Sequence, residues 1–176
     1  MTQLITDQYR EQIRKLHSAS AGTWGATAYS RSKKILEFVD AVNTTKILDY
    51  GSGPGRLKKK IDEDFPGKYD ITNYDPGIDE FSSSPVPHDF VVCMDVLEHI
   101  EPECIDNVLD DLKRVTLKGA LFGITTIPAY RNLPDGRNAH ILIQPYEWWK
   151  EKIESRFKIN FESHNHASIL MFVNPL

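Results

Sequence analysis

The chain has 176 residues, 40% of them apolar and 26% charged, with a formal net charge of −4. That length sets an expectation of one domain over residues 1–176, since ~100–200 residues per domain is usual, and the composition excludes disorder as the dominant state. No apolar run approaches the ~18 residues of a membrane span, and the acidic balance argues against a phosphate-backbone binder, which normally tilts basic. An acid, Asp7, stands where a signal peptide needs its apolar stretch, and Cys93 and Cys104 lack a short metal-ligand spacing. Both features lead to the expectation of a reducing, cytoplasmic compartment.

Helix-like and strand-like periods alternate along the chain. Residues 5–17 carry Ile5, Tyr9, Ile13 and Leu16 as a helical stripe, followed by a small, polar loop over 18–28. A helix is expected over 29–42, with Ile35, Leu36 and Val39 on one face, and then a short strand, KILDY, at Lys46–Tyr50 that runs into Gly51. A lysine-rich helix start follows at 56–63, a strand at 69–74 closed by Asp75-Pro76-Gly77, and a buried strand at 89–94. Residues 102–116 make the cleanest amphipathic helix, with Pro102 in its first turn and Ile105, Val108, Leu109, Leu112 and Val115 on one face. A strand over 120–125, a loop over 127–143, a helix over 145–157 and two strands over 158–162 and 168–173 complete the pattern. The alternation predicts a Rossmann-like three-layer α/β/α sandwich, mostly parallel, with a C-terminal antiparallel hairpin.

The informative stretch is Asp49-Tyr-Gly51-Ser52-Gly53-Pro-Gly55, an apolar strand opening into alternate glycines before a helix. Glycines there permit a tight turn and a close ligand approach. The spacing is not the G-x-G-x-x-G of dinucleotide sites, and Asp49 beside the turn would repel a pyrophosphate but favour an ammonium group. With Asp75 ending the second strand and Asp95-Val96-Leu97-Glu98-His99-Ile100 following the next, the chain resembles the class I S-adenosylmethionine (SAM)-dependent methyltransferases over about residues 29–176. The resemblance implies that Asp49, Gly51, Ser52, Gly53 and Gly55 lie along the methionine part of SAM. It places Asp75 on the ribose hydroxyls and Pro76, Asp95, Val96 and Leu97 along the rest of the cofactor. A carboxylate suits a vicinal diol because it accepts two charge-assisted bonds. Asp75 before Pro-Gly also fits an ordinary turn former.

Only 13 residues, 76–88, separate Asp75 from the next strand. A crossover with its own helix needs ~10–12 before a further strand is counted, so the usual third strand and helix of that fold are expected to be missing. Asp79, Glu80 or Phe81 would then stand in for the family's adenine-binding acid. Methyl transfer from a sulfonium needs alignment, water exclusion and a group to receive the acceptor's proton. The strand ends offer Glu98, His99 and His140 as catalytic candidates, and Trp24, Tyr130, Arg131 and Arg137 as substrate-binding ones. The resemblance implies that the N-terminal segment, residues 1–28, covers the cofactor, with Tyr29 or Arg31 on its carboxylate. The plainer readings are helix-start chemistry for Glu98-His99, a satisfied loop histidine for His140 and core packing for Trp148-Trp149.

Residues 133–140 (LPDGRNAH) and the PYEWW run at 145–149 resemble a narrower group of small bacterial and phage methyltransferase-domain proteins. The leading reading is a SAM-dependent methyltransferase acting on an oxygen or nitrogen of a small molecule or saccharide, with no membrane partner, a nucleic acid disfavoured but left open, and no residue assigned to a metal. Asp95-x-x-Glu98-His99 with His140 also resembles the metal cluster of small-RNA terminal 2′-O-methyltransferases, although a glutamate stands there at the place of Asp95. A non-catalytic SAM-binding module and an NAD-dependent enzyme are the remaining readings.

Overall fold

The computed structural model describes residues 3–19 and 26–176. Its elements in chain order are α1 (Asp7–Ala19), α2 (Ala26–Ser30), α3 (Ser32–Ala41), β1 (Lys46–Tyr50), α4 (Arg56–Asp64), β2 (Asp70–Tyr74), β3 (His88–Met94), α5 (Ile105–Val115), β4 (Thr116–Thr125), α6 (Tyr146–Glu154), β5 (Phe157–His164) and β6 (Ser168–Pro175). They build a six-stranded sheet in the order β2-β1-β3-β4-β6-β5. The first four strands in that order pair in parallel, and β6 runs antiparallel to both β4 and β5.

The pleat of β1 and β3 sorts their side chains between the two faces of the sheet. Leu48, Tyr50, Val91 and Cys93 pack with the buried stripe of α5 and with Trp149 and Ile153 of α6. Ile47, Phe90, Val92 and Met94 pack with Ile35, Leu36 and Val39 of α3 and Leu57 and Ile61 of α4. The result is the three-layer Rossmann-like α/β sandwich that the periodicity predicts. Among the described residues the third strand and its helix are absent, and β2 is the edge. Between β2 and β3 the chain makes only a single 3₁₀ turn at Asp79–Phe81.

Several boundaries differ from the sequence expectation. The helix expected from Pro102 begins at Ile105, because residues 101–104 close a turn through Cys104 N–H to the Glu101 carbonyl at 2.8 Å. β4 starts at Thr116, directly after α5, instead of at residue 120. Leu117 and Lys118 are both exposed at its start, so no alternation marked it as strand. The helix expected over 29–42 is two helices broken at Arg31, whose φ of −99° and ψ of 10° leave helical geometry. Tyr29 lies under the Arg56 guanidinium, 5.0 Å from ring centroid to charge, and Arg31 is exposed.

Candidate functional site

The parallel strands end together at Tyr50, Tyr74, Met94 and Thr125. Chain direction after β1 divides there, to β2 on one side and β3 on the other, which is where open α/β sheets leave a crevice. A cleft of about 460 Å³ opens at that point, within the ~300–1,000 Å³ range of small-molecule sites.

The glycine turn forms its floor. Gly51, Gly53 and Gly55 all have positive φ, at 77°, 52° and 72°. At Gly51 a Cβ would overlap the Val96 isopropyl group, so the turn and the β3 exit touch through the missing side chain. Gly51 and Ser52 N–H both donate to the Tyr74 carbonyl, at 2.7 and 3.0 Å, which ties the turn to the tip of β2.

Asp75 bridges the two tips. Its Oδ2 accepts the Gly53 N–H at 2.8 Å and its Oδ1 accepts the Gly77 N–H at 2.8 Å. The second bond closes a turn of the chain on its own side chain, so the turn-former reading of Asp75 is correct as far as it goes. An ionised carboxylate has about four acceptor positions, so two backbone bonds fix its orientation and leave acceptor capacity toward the cleft. Asp49 lies buried beneath the turn. Burial first, and the nearby Asp75 charge second, push its carboxyl up to about 7.

The other side of the cleft comes from the β3 and β4 exits. Asp95 sits at φ 54°, and its Oδ1 accepts the Thr125 hydroxyl at 3.2 Å. A 3₁₀ turn at Leu97–His99 follows. Glu98 is fully buried, with Oε1 accepting the Thr125 N–H at 2.9 Å and Oε2 finding no hydrogen-bond partner among the described residues. Burial, and after it the Asp95 charge, raise its carboxyl to about 8. His99 and His140 meet edge to face at 4.8 Å between ring centroids. Nδ1 of His99 lies 2.8 Å from the Ala139 carbonyl, and Nδ1 of His140 lies 2.6 Å from that of Ile127.

Two walls were not legible as walls in the sequence. Ile5, Tyr9 and Ile13, read as a helical stripe, line the cleft from α1 and the residues before it. Thr6 caps that helix by accepting the Tyr9 N–H at 3.1 Å, and the Glu101 carboxylate takes both Thr6 N–H and Thr6 Oγ–H, at 2.8 and 2.7 Å. An Arg14–Asp79 ion pair ties the same helix to the turn after β2. The Tyr9 hydroxyl is buried without a hydrogen-bond partner among the described residues, and burial holds its phenol well above the usual range. The second wall is the 127–142 loop, folded on itself by Asn138. Asn138 Oδ1 accepts the N–H groups of Ala129 and His140, at 2.9 and 3.0 Å, which aims His140 inward. Leu133 and Ala139 of this loop pack on Tyr9 and Leu16, so the two walls support each other.

No family model and no curated protein matches the chain. Solved structures do match. An N1-methyltransferase of 1,6-didemethyltoxoflavin from Burkholderia thailandensis, crystallised with that compound and S-adenosylhomocysteine, superposes with a TM-score of 0.68 at 12% identity, over 96% of this chain and 89% of that one. The N-methyltransferase NodS from Bradyrhizobium japonicum WM9, in complex with S-adenosylhomocysteine, gives 0.65 at 12% identity, over 96% and 99%. A SAM-dependent methyltransferase from Aquifex aeolicus gives 0.58 at 15% identity, over 95% and 98%. The fold is that of SAM-dependent methyltransferases.

Within this methyltransferase fold, the residues singled out in the sequence separate by their position relative to the cleft. Gly51, Gly53, Asp75, Pro76, Asp95, Val96, His99, Tyr130, Arg131 and His140 line the cleft. Asp49, Ser52, Leu97 and Glu98 are buried around it, and Gly55 caps α4 beside Asn73. Arg137 does not reach the cleft, because its guanidinium forks onto Asp135 Oδ2 at 2.9 and 2.7 Å. Trp24 lies outside the described residues. Asp79, Glu80 and Phe81, the adenine stand-ins, are not among the residues lining the cleft, and Asp79 pairs with Arg14. Tyr29 and Arg31 are likewise absent from it. No helix among the described residues is long and apolar enough to cross a membrane.

Proposed function

We propose that this chain is a SAM-dependent methyltransferase acting on an oxygen or nitrogen of a small-molecule acceptor, a saccharide included. The observation that carries the reading is Asp75, pinned by two backbone N–H groups at the tip of β2 and facing the cleft beside the glycine turn. A diol acceptor held by the fold before the ligand arrives loses little freedom on binding. On this reading Asp75 takes the ribose hydroxyls, and Gly51 and Gly53 let the methionine chain lie against the backbone. The buried Asp49 faces the amino end, where an ammonium would draw it into its charged form. Pro76, Asp95 and Val96 flank the nucleoside.

The chemistry is an in-line displacement. A lone pair of the acceptor forms a bond to the methyl carbon while the carbon–sulfur bond breaks, and the sulfonium becomes a neutral thioether. The protein's contribution is alignment in a water-poor cleft. α1 and the 127–142 loop supply its apolar walls, and Tyr130 and Arg131 stand at its mouth. The acceptor proton leaves on the side of Glu98, His99 and His140.

Calorimetry with S-adenosylhomocysteine and with NAD tests this directly. Wild-type chain should bind the first and not the second. Asp75→Ala should weaken binding by about 10²–10³-fold, the worth of two charge-assisted hydrogen bonds at ~1.5–3 kcal/mol each when partly offset by water. Undiminished affinity in a folded Asp75→Ala chain rules the reading out.

A further inference from the structure

We propose that Arg131 selects the methyl acceptor, a small molecule with an apolar body and one carboxylate, and that its guanidinium holds that carboxylate at the mouth of the cleft. This inference rests on the methyl-transfer reading and narrows its substrate class.

Among the residues lining the cleft, Arg131 alone carries a permanent positive charge. Its side chain has no hydrogen bond, ion pair or ring contact among the described residues. No acid outside them can engage it either, because residues 1–2 and 20–25 contain no aspartate or glutamate. The other arginines are disposed differently. Arg10, Arg14, Arg114, Arg137 and Arg156 pair with carboxylates, Arg56 rests on the Tyr29 ring, and Arg31 lies outside the cleft.

The backbone that carries Arg131 is fixed. Its carbonyl accepts the Ala139 N–H at 3.0 Å, and Leu133 N–H donates to the Arg137 carbonyl at 2.7 Å. Asn132 and Asn138 form an antiparallel bridge between these two pairs. The Asn138 side chain closes on both backbone groups of Ala129, at 2.9 Å each. Ala139 directly precedes His140, so one small hairpin both displays the guanidinium and aims His140 inward. A donor fork on a fixed backbone gives up only side-chain freedom when it captures a ligand.

The charge and shape of the site choose the ligand group. A guanidinium presents two parallel N–H donors that match the two oxygens of a carboxylate. One positive charge also balances one negative charge. The cleft holds Asp75 and Asp95 as well, and the chain carries −4 overall. A dianionic phosphate would meet repulsion there that a single guanidinium does not offset. Ile127, Pro128 and Ala129 of the same loop, with Ile5 and Ile13 of the α1 wall, suit an apolar ligand body.

The test uses the full chain saturated with S-adenosylhomocysteine. Calorimetry would compare hydroxybenzoates, aminobenzoates and hydroxyphenylacetates with their primary amides and with hydroxyphenyl phosphates. At least one carboxylate should bind, its amide about tenfold more weakly, the worth of one charge-assisted pair, and no phosphate better than it. Arg131→Gln should erase the preference for acid over amide with circular dichroism unchanged, and Arg131→Lys should restore part of it. Lys59→Gln removes the same charge from an exposed position outside the cleft and should keep the preference whole. The proposal is overturned if no carboxylate binds, if amides bind as well as acids, or if phosphates bind better. It is equally overturned if the preference survives Arg131→Gln or is lost in Lys59→Gln. Failure of the wild-type chain to take up S-adenosylhomocysteine at all would instead bring down the methyl-transfer reading, and this inference with it.

Discussion

At the residue scale, Asp49 is a buried acid whose folded-state value is raised. Its carboxyl titrates at about 7 in the folded chain, against ~3.9 unfolded. Between those values the native chain holds a proton that the unfolded chain has released. The unfolded state thus binds fewer protons, and stability falls as pH rises from about 4 to about 7. Asn at this position carries no such liability. Asp49→Asn should therefore melt above wild type at pH 8, with the advantage shrinking toward pH 4, as thermal unfolding of the ligand-free chain would record. The same variant should bind S-adenosylhomocysteine at least tenfold more weakly at pH 8 if the carboxylate faces the ligand's ammonium group. Asp95 shows a different device. It holds a left-handed backbone, at φ 54°, that costs a non-glycine residue roughly 1–3 kcal/mol. The conformation turns the chain from β3 into the Leu97–His99 turn, with Asp95 N–H still on the Gly123 carbonyl at 2.9 Å.

At the element scale, α1 is the part of the cleft most easily separated from the rest. It belongs to a small cluster with Leu133 and Ala139, apart from the two cores that sandwich the sheet. Its N-terminus is held by Glu101, which is itself buried and accepts twice from Thr6. Opening of α1 should thus be a local event with a free energy below that of global unfolding. Glu101→Ala removes both acceptors. Amide exchange over residues 7–19 should accelerate in that variant while the strands keep their protection, and S-adenosylhomocysteine affinity should fall about tenfold because Ile5, Tyr9 and Ile13 wall the cleft. Unchanged exchange over α1 would show that the packing against Leu133 and Ala139 suffices to hold it.

At the scale of the whole molecule, the sheet stops at β2, and the face carrying α5 and α6 dominates the core. Trp149 is its largest fully buried side chain, set at right angles to the half-buried Trp148 with ring centroids 4.9 Å apart. Trp149→Ala should destabilise the chain by ~3–5 kcal/mol in denaturant unfolding, the range for an aromatic removed from a packed interior. The indole N–H has no hydrogen-bond partner among the described residues, so Trp149→Phe should cost much less. Equal losses for the two substitutions would mean that the cavity is not the controlling term.

The sequence by itself determined what depends on neighbours along the chain. Helical stripes, β-branched runs, the alternate glycines after KILDY and Asp75 before Pro-Gly each work within a few residues, because propensity and turn chemistry are local. A gap too short for a strand and helix likewise needs only counting. Tertiary structure alone decided what depends on residues far apart in sequence. It made Tyr9 part of the cleft wall and brought His140 beside His99. Those outcomes rest on packing between α1 and the 127–142 loop and on carbonyls that orient each imidazole, neither of which leaves a periodic trace in the sequence.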